Sequence, residues 1–91
     1  MNKSYYQIER MVKGFSNHRR IEILELLKNK PELTLSNISE ILKTNFRTAS
    51  DHIKKMATAG LVLKRTDGFN VRHRITERGL SVLKFLKSLT D

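Results

Sequence analysis

The sequence predicts a mainly α fold with about five helices and a small β-hairpin, and three observations lead to it. Apolar residues recur at helical spacing in five separate segments. Two of these segments, in the middle of the chain, are separated by a three-residue turn. A pair of short β-type runs around Asp-Gly follows the second of them, which is a hairpin signal. This order is that of a winged helix-turn-helix with a two-stranded wing.

The length and composition are those of one small soluble domain. The chain has 91 residues, 38% of them apolar and 30% charged, so we expect a single domain over residues 1–91. No apolar run approaches the roughly 20 residues of a membrane span, and the N-terminus lacks the apolar core of a secretion signal. We therefore expect a cytoplasmic protein with no membrane partner. The chain has no cysteine, which excludes disulfides and thiolate metal sites.

Positive charge is concentrated in the second half of the chain. The formal net charge is +9, and residues 43–78 contribute +6 of it, with nine Lys or Arg against three acids. Such a concentration favours polyanions and steers their approach. Nucleic acid is the partner that fits best, and a merely soluble basic surface is the alternative.

The first two helices follow from capping residues and apolar spacing. A first helix is expected over about residues 4–15, with Ser4 as its N-cap. Asn17 is then the N-cap of a second helix, whose apolar stripe is wide enough to be buried on more than one side.

The third and fourth helices form the helix-turn-helix. Thr34 is a good N-cap for the third helix, and Lys43-Thr44 make the turn. Asn45 then caps the fourth helix, which is expected over about residues 46–59. The spacing of one buried face is followed by Ala49, Ile53, Met56 and Gly60.

The opposite side of the fourth helix would face outward and carries a single acid. Its residues are Phe46, Arg47, Thr48, Ser50, Asp51, Lys54 and Lys55. Because a solvated helix usually carries several acids among its bases, this bias favours a nucleic-acid surface. Arg47 has the fork geometry for guanine, or equally for a phosphate. Asp51 either accepts from cytosine or orients Arg47 or Lys54 from one turn away, and the orienting role is favoured.

Phe46 and the remaining bases have distinct expected roles. Phe46 either contacts a thymine methyl group or plugs a space beneath the wing. The bases expected to bind phosphates, which position a protein on DNA without specifying sequence, are Lys54, Lys55, Lys64, Arg65, Arg72 and Arg74.

The register of the hairpin follows from which side chains face the core. If Leu61 and Leu63 face inward together with His73 and Ile75, the numbers of paired residues must add up to an even number, which predicts a three-residue loop over residues 67–69. Lys64 then lies opposite Arg72. Like charges across a hairpin cost stability, and phosphates would neutralise them.

A last helix, expected over about residues 77–89 with Thr76 as its cap, carries apolar residues around much of its circumference. The surplus suggests a second contact, most simply with the same helix of a twin subunit. Coverage by the first helix within the monomer is the alternative. The residues expected in this dimer interface are Tyr5, Ile8, Val12, Val82, Phe85, Leu86 and Leu89.

Three collinear segments resemble the ArsR-type winged-helix repressors. They are FSNHRRIEILELL, LTLSNISEILKTNFRTASDHIKKMATAGLV and RHRITERG, which cover about Phe15 to Gly79 in the same order and with matching spacing. MarR-type regulators share the wing but are usually longer, and they rank second. The resemblance implies a repressor of transcription whose terminal helices form the dimer interface.

The resemblance also implies which residues bind DNA and where this chain departs from the family. The implied contacts on the fourth helix are Asn45, Phe46, Arg47, Thr48, Ser50, Asp51 and His52, and the wing contributes the bases around its tip. Arg20 matches an arginine common in the second helix of the family. Lys43 stands where glycine is frequent, and left-handed backbone there would cost about 1 kcal/mol. The third helix lacks the paired cysteines of the metal sensors, which disfavours a metal-responsive repressor.

We therefore predict a sequence-specific, double-stranded-DNA-binding transcriptional regulator that acts as a homodimer. The fourth helix would enter the major groove, and the wing, about residues 64–74, would lie on the backbone or minor groove. A protein-interaction module and a sequence-indifferent architectural DNA binder are the alternatives. No catalytic constellation predicts an enzyme and we expect no cofactor. No metal site is expected, because His18, His52 and His73 have no acid at metal-ligand spacing. The sequence identifies no effector.

Overall fold

Five helices and a three-stranded antiparallel sheet make up residues 2–91, the part of the chain that the computed structural model describes. In chain order the elements are α1 (Tyr5–Lys13), α2 (His18–Asn29), β1 (Leu33–Thr34), α3 (Leu35–Leu42), α4 (Phe46–Thr58), β2 (Val62–Asp67), β3 (Asn70–Ile75) and α5 (Glu77–Ser88). The predicted fold is confirmed, with one short strand more than expected.

Each helix begins at the residue that the sequence indicates as its N-cap. A side-chain oxygen of each cap accepts a hydrogen bond from a backbone N–H in the first turn, which satisfies a donor that the helix leaves unpaired. The five caps are Ser4, Asn17, Thr34, Asn45 and Thr76.

The turn between α3 and α4 depends on a left-handed lysine. Lys43 has φ 54° and ψ 45° and is the C-cap of α3. Its N–H donates to Glu40 O, and the N–H of Thr44 donates to Ser39 O. Three residues therefore suffice to reverse the chain and begin α4 at Phe46.

The core lies between α2, α3, α4, β2 and α5. Its fully buried large side chains are Ile23, Leu24, Leu27, Ile38, Ile53, Met56 and Leu61. Ala49, Ile53 and Met56 are at most 1% exposed, which confirms these three members of the predicted inner face of α4. Gly60, the fourth predicted member, lies beyond the end of the helix and is only partly buried. The opposite side of that helix is consequently left free of the core.

The sheet corrects the predicted hairpin in two ways. Its strand order is β1-β3-β2, because Leu33 pairs with His73 and adds a third strand at the root of the wing. The three-residue loop over residues 67–69 is wrong: Asp67 pairs with Asn70, and only Gly68 and Phe69 form the loop. Lys64 therefore lies opposite His73 rather than Arg72.

The predicted register is wrong because it places Leu63, and not Val62, on the buried face of β2. Val62 is 2% exposed, whereas Leu63 is 53% exposed. Leu61 is also fully buried, but it precedes the strand and follows Gly60, whose φ is +77°. The burial of Leu61 therefore does not determine which residues of β2 face the core, although the predicted register depended on it.

The N-terminal helix α1 buries no residue in the single chain. Tyr5 is 82% exposed. The α5 helix contributes Gly79 and Leu83 to the interior and leaves Phe85 and Leu89 more than half exposed. Within residues 2–91, no helix has the length and apolar character needed to cross a membrane.

Candidate nucleic-acid interface

The outward side of α4 is accessible as expected. Arg47, Asp51, Lys54 and Lys55 are exposed, and Thr48 and Ser50 are partly exposed. Phe46 at the helix start is 56% exposed, which contradicts a plug beneath the wing and leaves the contact with a base. The helix therefore presents a basic, hydrogen-bonding face to solvent while its opposite side anchors the fold.

The favoured orienting role of Asp51 is wrong for the free protein. None of the ion pairs found in residues 2–91 involves Asp51. Its carboxylate therefore holds neither Arg47 nor Lys54 in place. For the complex with DNA, both roles of Asp51 stay predictions: orientation of a base one turn away and acceptance of a hydrogen bond from cytosine.

His52 is tied to the second helix. Arg20 Nε donates to His52 Nδ1 at 3.1 Å, and Arg20 Nη1 donates to Lys13 O at 2.6 Å. Burial, and then the positive charge of Arg20, lower the pKa of His52 below its ordinary value. The neutral ring thus accepts at Nδ1, and a single arginine joins the end of α1 to α4. This link could not be predicted from the sequence, because the partners are 32 positions apart.

Two of the four predicted phosphate ligands of the wing are held by acids of the same chain. Arg65 makes two hydrogen bonds to the carboxylate of Glu32, and Arg72 Nε donates to Asp67 Oδ2 at 2.8 Å. These bonds to arginine lower the pKa of Glu32 and of Asp67.

The like charges that meet across the hairpin are therefore Arg65 and Arg72, and internal acids balance them. Among the described residues, Lys64 and Arg74 form no ion pair. These two bases are the wing residues whose charge is most available to a phosphate. Glu32, which sequence reasoning missed, and Asp67 set this difference by pairing with Arg65 and Arg72.

Apolar side chains of the terminal helices remain at the surface. Tyr5, Val12, Phe85 and Leu89 are 40–82% exposed. Ile8, Val82 and Leu86 are partly exposed. Since α1 and α5 do not cover one another's apolar residues within the chain, the alternative of coverage inside the monomer is wrong.

A basic groove, which sequence reasoning also missed, runs between α1 and α4. It has a volume of about 930 Å³ and reaches from the first residues of α1 to Arg78. Its floor is closed where Gly14 meets Ala59; a Cβ on Gly14 would lie 2.4 Å from that of Ala59. Glycine at this position therefore lets α1 approach the end of α4.

The histidines do not come together. Within residues 2–91, no three His, Asp or Glu side chains are arranged to hold a metal ion. His73 is 3% exposed, and its Nδ1 lies 3.0 Å from Leu33 O. It thus has a structural role in joining β3 to β1.

The family follows from the sequence segment that builds this interface. The sequence model of the bacterial regulatory proteins of the arsR family matches residues 17–64, which run from the cap of α2 to the first half of β2. The chain belongs to the arsR family. The predicted resemblance is thereby confirmed, and this arsR-family protein is a regulatory protein with a helix-turn-helix DNA-binding motif. No curated protein matches its sequence.

Solved structures share the fold over most of the chain. One is the homodimeric winged helix-turn-helix DNA-binding domain of a possible ArsR-family transcriptional regulator from Mycobacterium bovis. It is 26% identical, with a TM-score of 0.85 over 100% of this chain and 90% of that one. Another is the transcriptional regulator HlyU from Vibrio vulnificus, at 27% identity and a TM-score of 0.74, covering 92% and 88% of the two chains.

MarR-type proteins share the fold as well. A MarR protein from Peptoclostridium difficile is 24% identical, with a TM-score of 0.70 over 78% of this chain and 48% of that one. The arsR-family chain thus spans about half of this MarR protein. This difference agrees with the greater length expected of MarR-type regulators.

Proposed function

We propose that this arsR-family protein is a transcriptional repressor that binds a specific double-stranded DNA sequence as a homodimer. In this proposal α4 lies in the major groove, and the wing lies on the backbone or minor groove. The chain is a single domain whose terminal helices form the dimer interface. It acts in the cytoplasm, has no enzymatic activity and needs no cofactor.

The observation that carries the proposal is the two-sided character of α4. Its inner side is fixed by Ala49, Ile53 and Met56 in the core, so the position of its outer side is set by the fold. That outer side is exposed, with Asp51 its one acid. A rigid helix that presents arginine, threonine and serine at its start can read base edges without reorganising first.

A homodimer is supported by the exposed apolar residues of α1 and α5 and by the homodimeric relative from Mycobacterium bovis. Two copies of α4 would then lie about one turn of DNA (~34 Å) apart on a roughly palindromic site. Each protomer would offer Lys54, Lys55, Lys64 and Arg74 to phosphates, because none of these four is paired with an acid. The wing arginines Arg65 and Arg72 would add to these only after leaving Glu32 and Asp67.

The decisive experiment is the selection of bound duplexes from a random pool, with the mass of the free protein measured alongside. We expect one enriched, roughly palindromic sequence and a dimeric mass. With about four phosphates neutralised per protomer, the logarithm of the affinity should fall with the logarithm of salt at a slope near −7. An affinity independent of salt would contradict DNA binding.

The roles of individual residues can be separated by their effect on sequence discrimination. Arg47→Ala should cost about 1–3 kcal/mol on the selected sequence and little on random duplexes, because Arg47 reads a base. Lys64→Ala should weaken binding to every duplex alike, because a phosphate ligand carries no sequence information. Equal losses on selected and random duplexes for Arg47→Ala would assign that residue to the backbone.

The same titrations test the two alternatives. A protein-interaction module would not bind duplexes at moderate salt. An architectural binder would bind selected and random duplexes with equal affinity.

A further inference from the structure

The groove between α1 and α4 gathers bases that are scattered along the chain. Seven cationic side chains and one acid, Asp51, line it. The cations are Lys3, Arg10, Lys13, Arg20, Lys54, Lys55 and Arg78. Residues 1–42 together carry a net charge of only +2. The distribution of charge along the sequence therefore does not predict this cluster. Folding brings four bases of this N-terminal part next to the recognition helix: Lys3, Arg10, Lys13 and Arg20.

Most of these charges have no counter-ion in the protein. The one ion pair among the seven joins Lys13 to Glu9 at 4.0 Å, within the part of the chain that the structure describes. Arg20 and Arg78 donate to backbone carbonyls, which leaves their charges unbalanced. Arg10 lies over the ring of Tyr6 at 5.8 Å, a contact that does not neutralise it either. Like charges that line one groove repel one another where they lie within the screening length of about 8–10 Å, and a bound polyanion would relieve this repulsion.

The groove is continuous with the outward side of α4. Arg47, Asp51, Lys54 and Thr58 follow one another at helical spacing, so they form one stripe. The last three of them line the groove. A polyanion that contacts Arg47 at the start of α4 therefore meets the mouth of the groove as it continues along the helix.

The apolar face of α1 that is proposed for the dimer does not line the groove. From α1 and the residues that flank it, the groove is lined by Lys3, Gln7, Arg10, Met11, Lys13 and Gly14. The apolar side, with Tyr5, Ile8 and Val12, lies at different helical positions.

We propose that this groove is a second phosphate-binding surface, in which the DNA backbone is held beyond the bases that α4 reads. The proposal rests on the DNA binding proposed above and extends it to α1 and Arg78, outside the helix-turn-helix and the wing. Phosphodiesters are the fitting chemistry, because a duplex presents one negative charge for about every 1.7 Å of its axis. The groove positions the duplex without discriminating sequence.

The test is the salt dependence of affinity for the selected duplex, compared between two charge-matched double variants. Lys3→Gln/Arg10→Gln removes two cations of the groove. Lys28→Gln/Lys84→Gln removes two cations beside Leu80 and Leu83, on a different surface. Circular dichroism at each salt concentration verifies that both variants are folded.

We expect the groove variant to bind all duplexes more weakly, with selected and random sequences discriminated as in the wild type. Its salt slope should be shallower by about 0.9 for each lost contact, hence by up to about 3.6 for a dimer. The Lys28/Lys84 variant should keep the wild-type slope. Equal slopes for the two variants would overturn the proposal, while failure of the wild type to bind any duplex would overturn the proposed function itself.

Inorganic pyrophosphate distinguishes a soluble ligand from the DNA backbone. Saturable binding of pyrophosphate that Lys3→Gln/Arg10→Gln abolishes, together with an unchanged salt slope on DNA, would assign the groove to a free phosphorylated molecule. That result also overturns the proposal. Simple competition, in which DNA displaces pyrophosphate and the slope of the groove variant is shallower, supports it.

Discussion

Lys43 adopts a backbone conformation that usually favours glycine. Its φ of 54° costs a residue with a side chain roughly 1–2 kcal/mol. Lys43→Gly removes this cost but makes the unfolded chain more flexible, by about 0.4–1 kcal/mol. We expect the free energy of unfolding, measured by urea denaturation, to rise by up to about 1 kcal/mol. Lys43→Ala is the control, because it removes the charge and keeps the Cβ; an equal gain there would assign the effect to charge.

Individual residues could be predicted from the sequence wherever their partner is close along the chain. All five helix caps bond to a backbone group in the next turn, so residue type and position sufficed to identify them. The bonds of Arg20 to His52 and of Arg65 to Glu32 join positions 32 and 33 residues apart. No spacing rule of a helix or strand reaches that far. The availability of a base for DNA is therefore a tertiary property.

The wing, too, could be predicted from the sequence only where neighbouring residues determine its structure. Its existence followed from two β-type runs around Asp-Gly, and its bases were identified correctly as surface residues. Its register depended on whether Val62 or Leu63 faces the core, and because both side chains are apolar, the sequence pattern could not decide between them. Strand β1 has only two residues and pairs with β3 across about 40 positions, so it was not foreseen.

The pairing of Glu32 with Arg65 should restrain the wing in its contact with DNA. Glu32→Gln leaves the fold intact and frees Arg65, so the affinity for all duplexes should rise. The salt slope should steepen by up to about 0.9 per protomer. Glu25→Gln, which breaks the ion pair with Lys87 between α2 and α5, is the matched control. The same gain in both variants would mean that net charge alone, rather than release of Arg65, strengthens binding.

The stability of the whole fold should depend on pH through His73. Burial lowers the pKa of His73 below its ordinary value of 6.5; the hydrogen bond to Leu33 opposes this shift, and the charge of nearby Lys64 adds to it. As the pH falls below about 6.5, the unfolded chain therefore takes up a proton before the folded one does. The contribution of His73 is complete above this pH and is lost as the pH falls towards the lowered value.

Urea denaturation between pH 7.5 and 5.0 measures this loss. While His73 is protonated only in the unfolded chain, it should contribute about 1.4 kcal/mol per pH unit. His73→Asn should be less stable at pH 7.5, because Asn fills less of the buried site beside Leu33. Its pH dependence should be weaker than that of the wild type. An unchanged pH dependence would assign the titration to another group.

The proposed association of two chains would cover exposed apolar surface of the terminal helices. Phe85 and Leu89 are 56% and 65% exposed and lie one turn apart on α5. Burying them against a twin gains about 25 cal/mol for each Å² of apolar surface removed from water. The double variant Phe85→Glu/Leu89→Glu would place charges in that contact, where an unpaired charge is costly. Analytical ultracentrifugation should then give the 10.6 kDa mass of one chain, and twice that mass for the wild type.

Phe69→Glu is the control for this last prediction, because Phe69 at the tip of the wing is an equally apolar and fully exposed side chain. It adds the same kind of charge far from α1 and α5, so the mass should remain that of a dimer. A wild-type protein that sediments as a single chain would contradict the dimer, and with it the spacing of about 34 Å expected between two recognition helices.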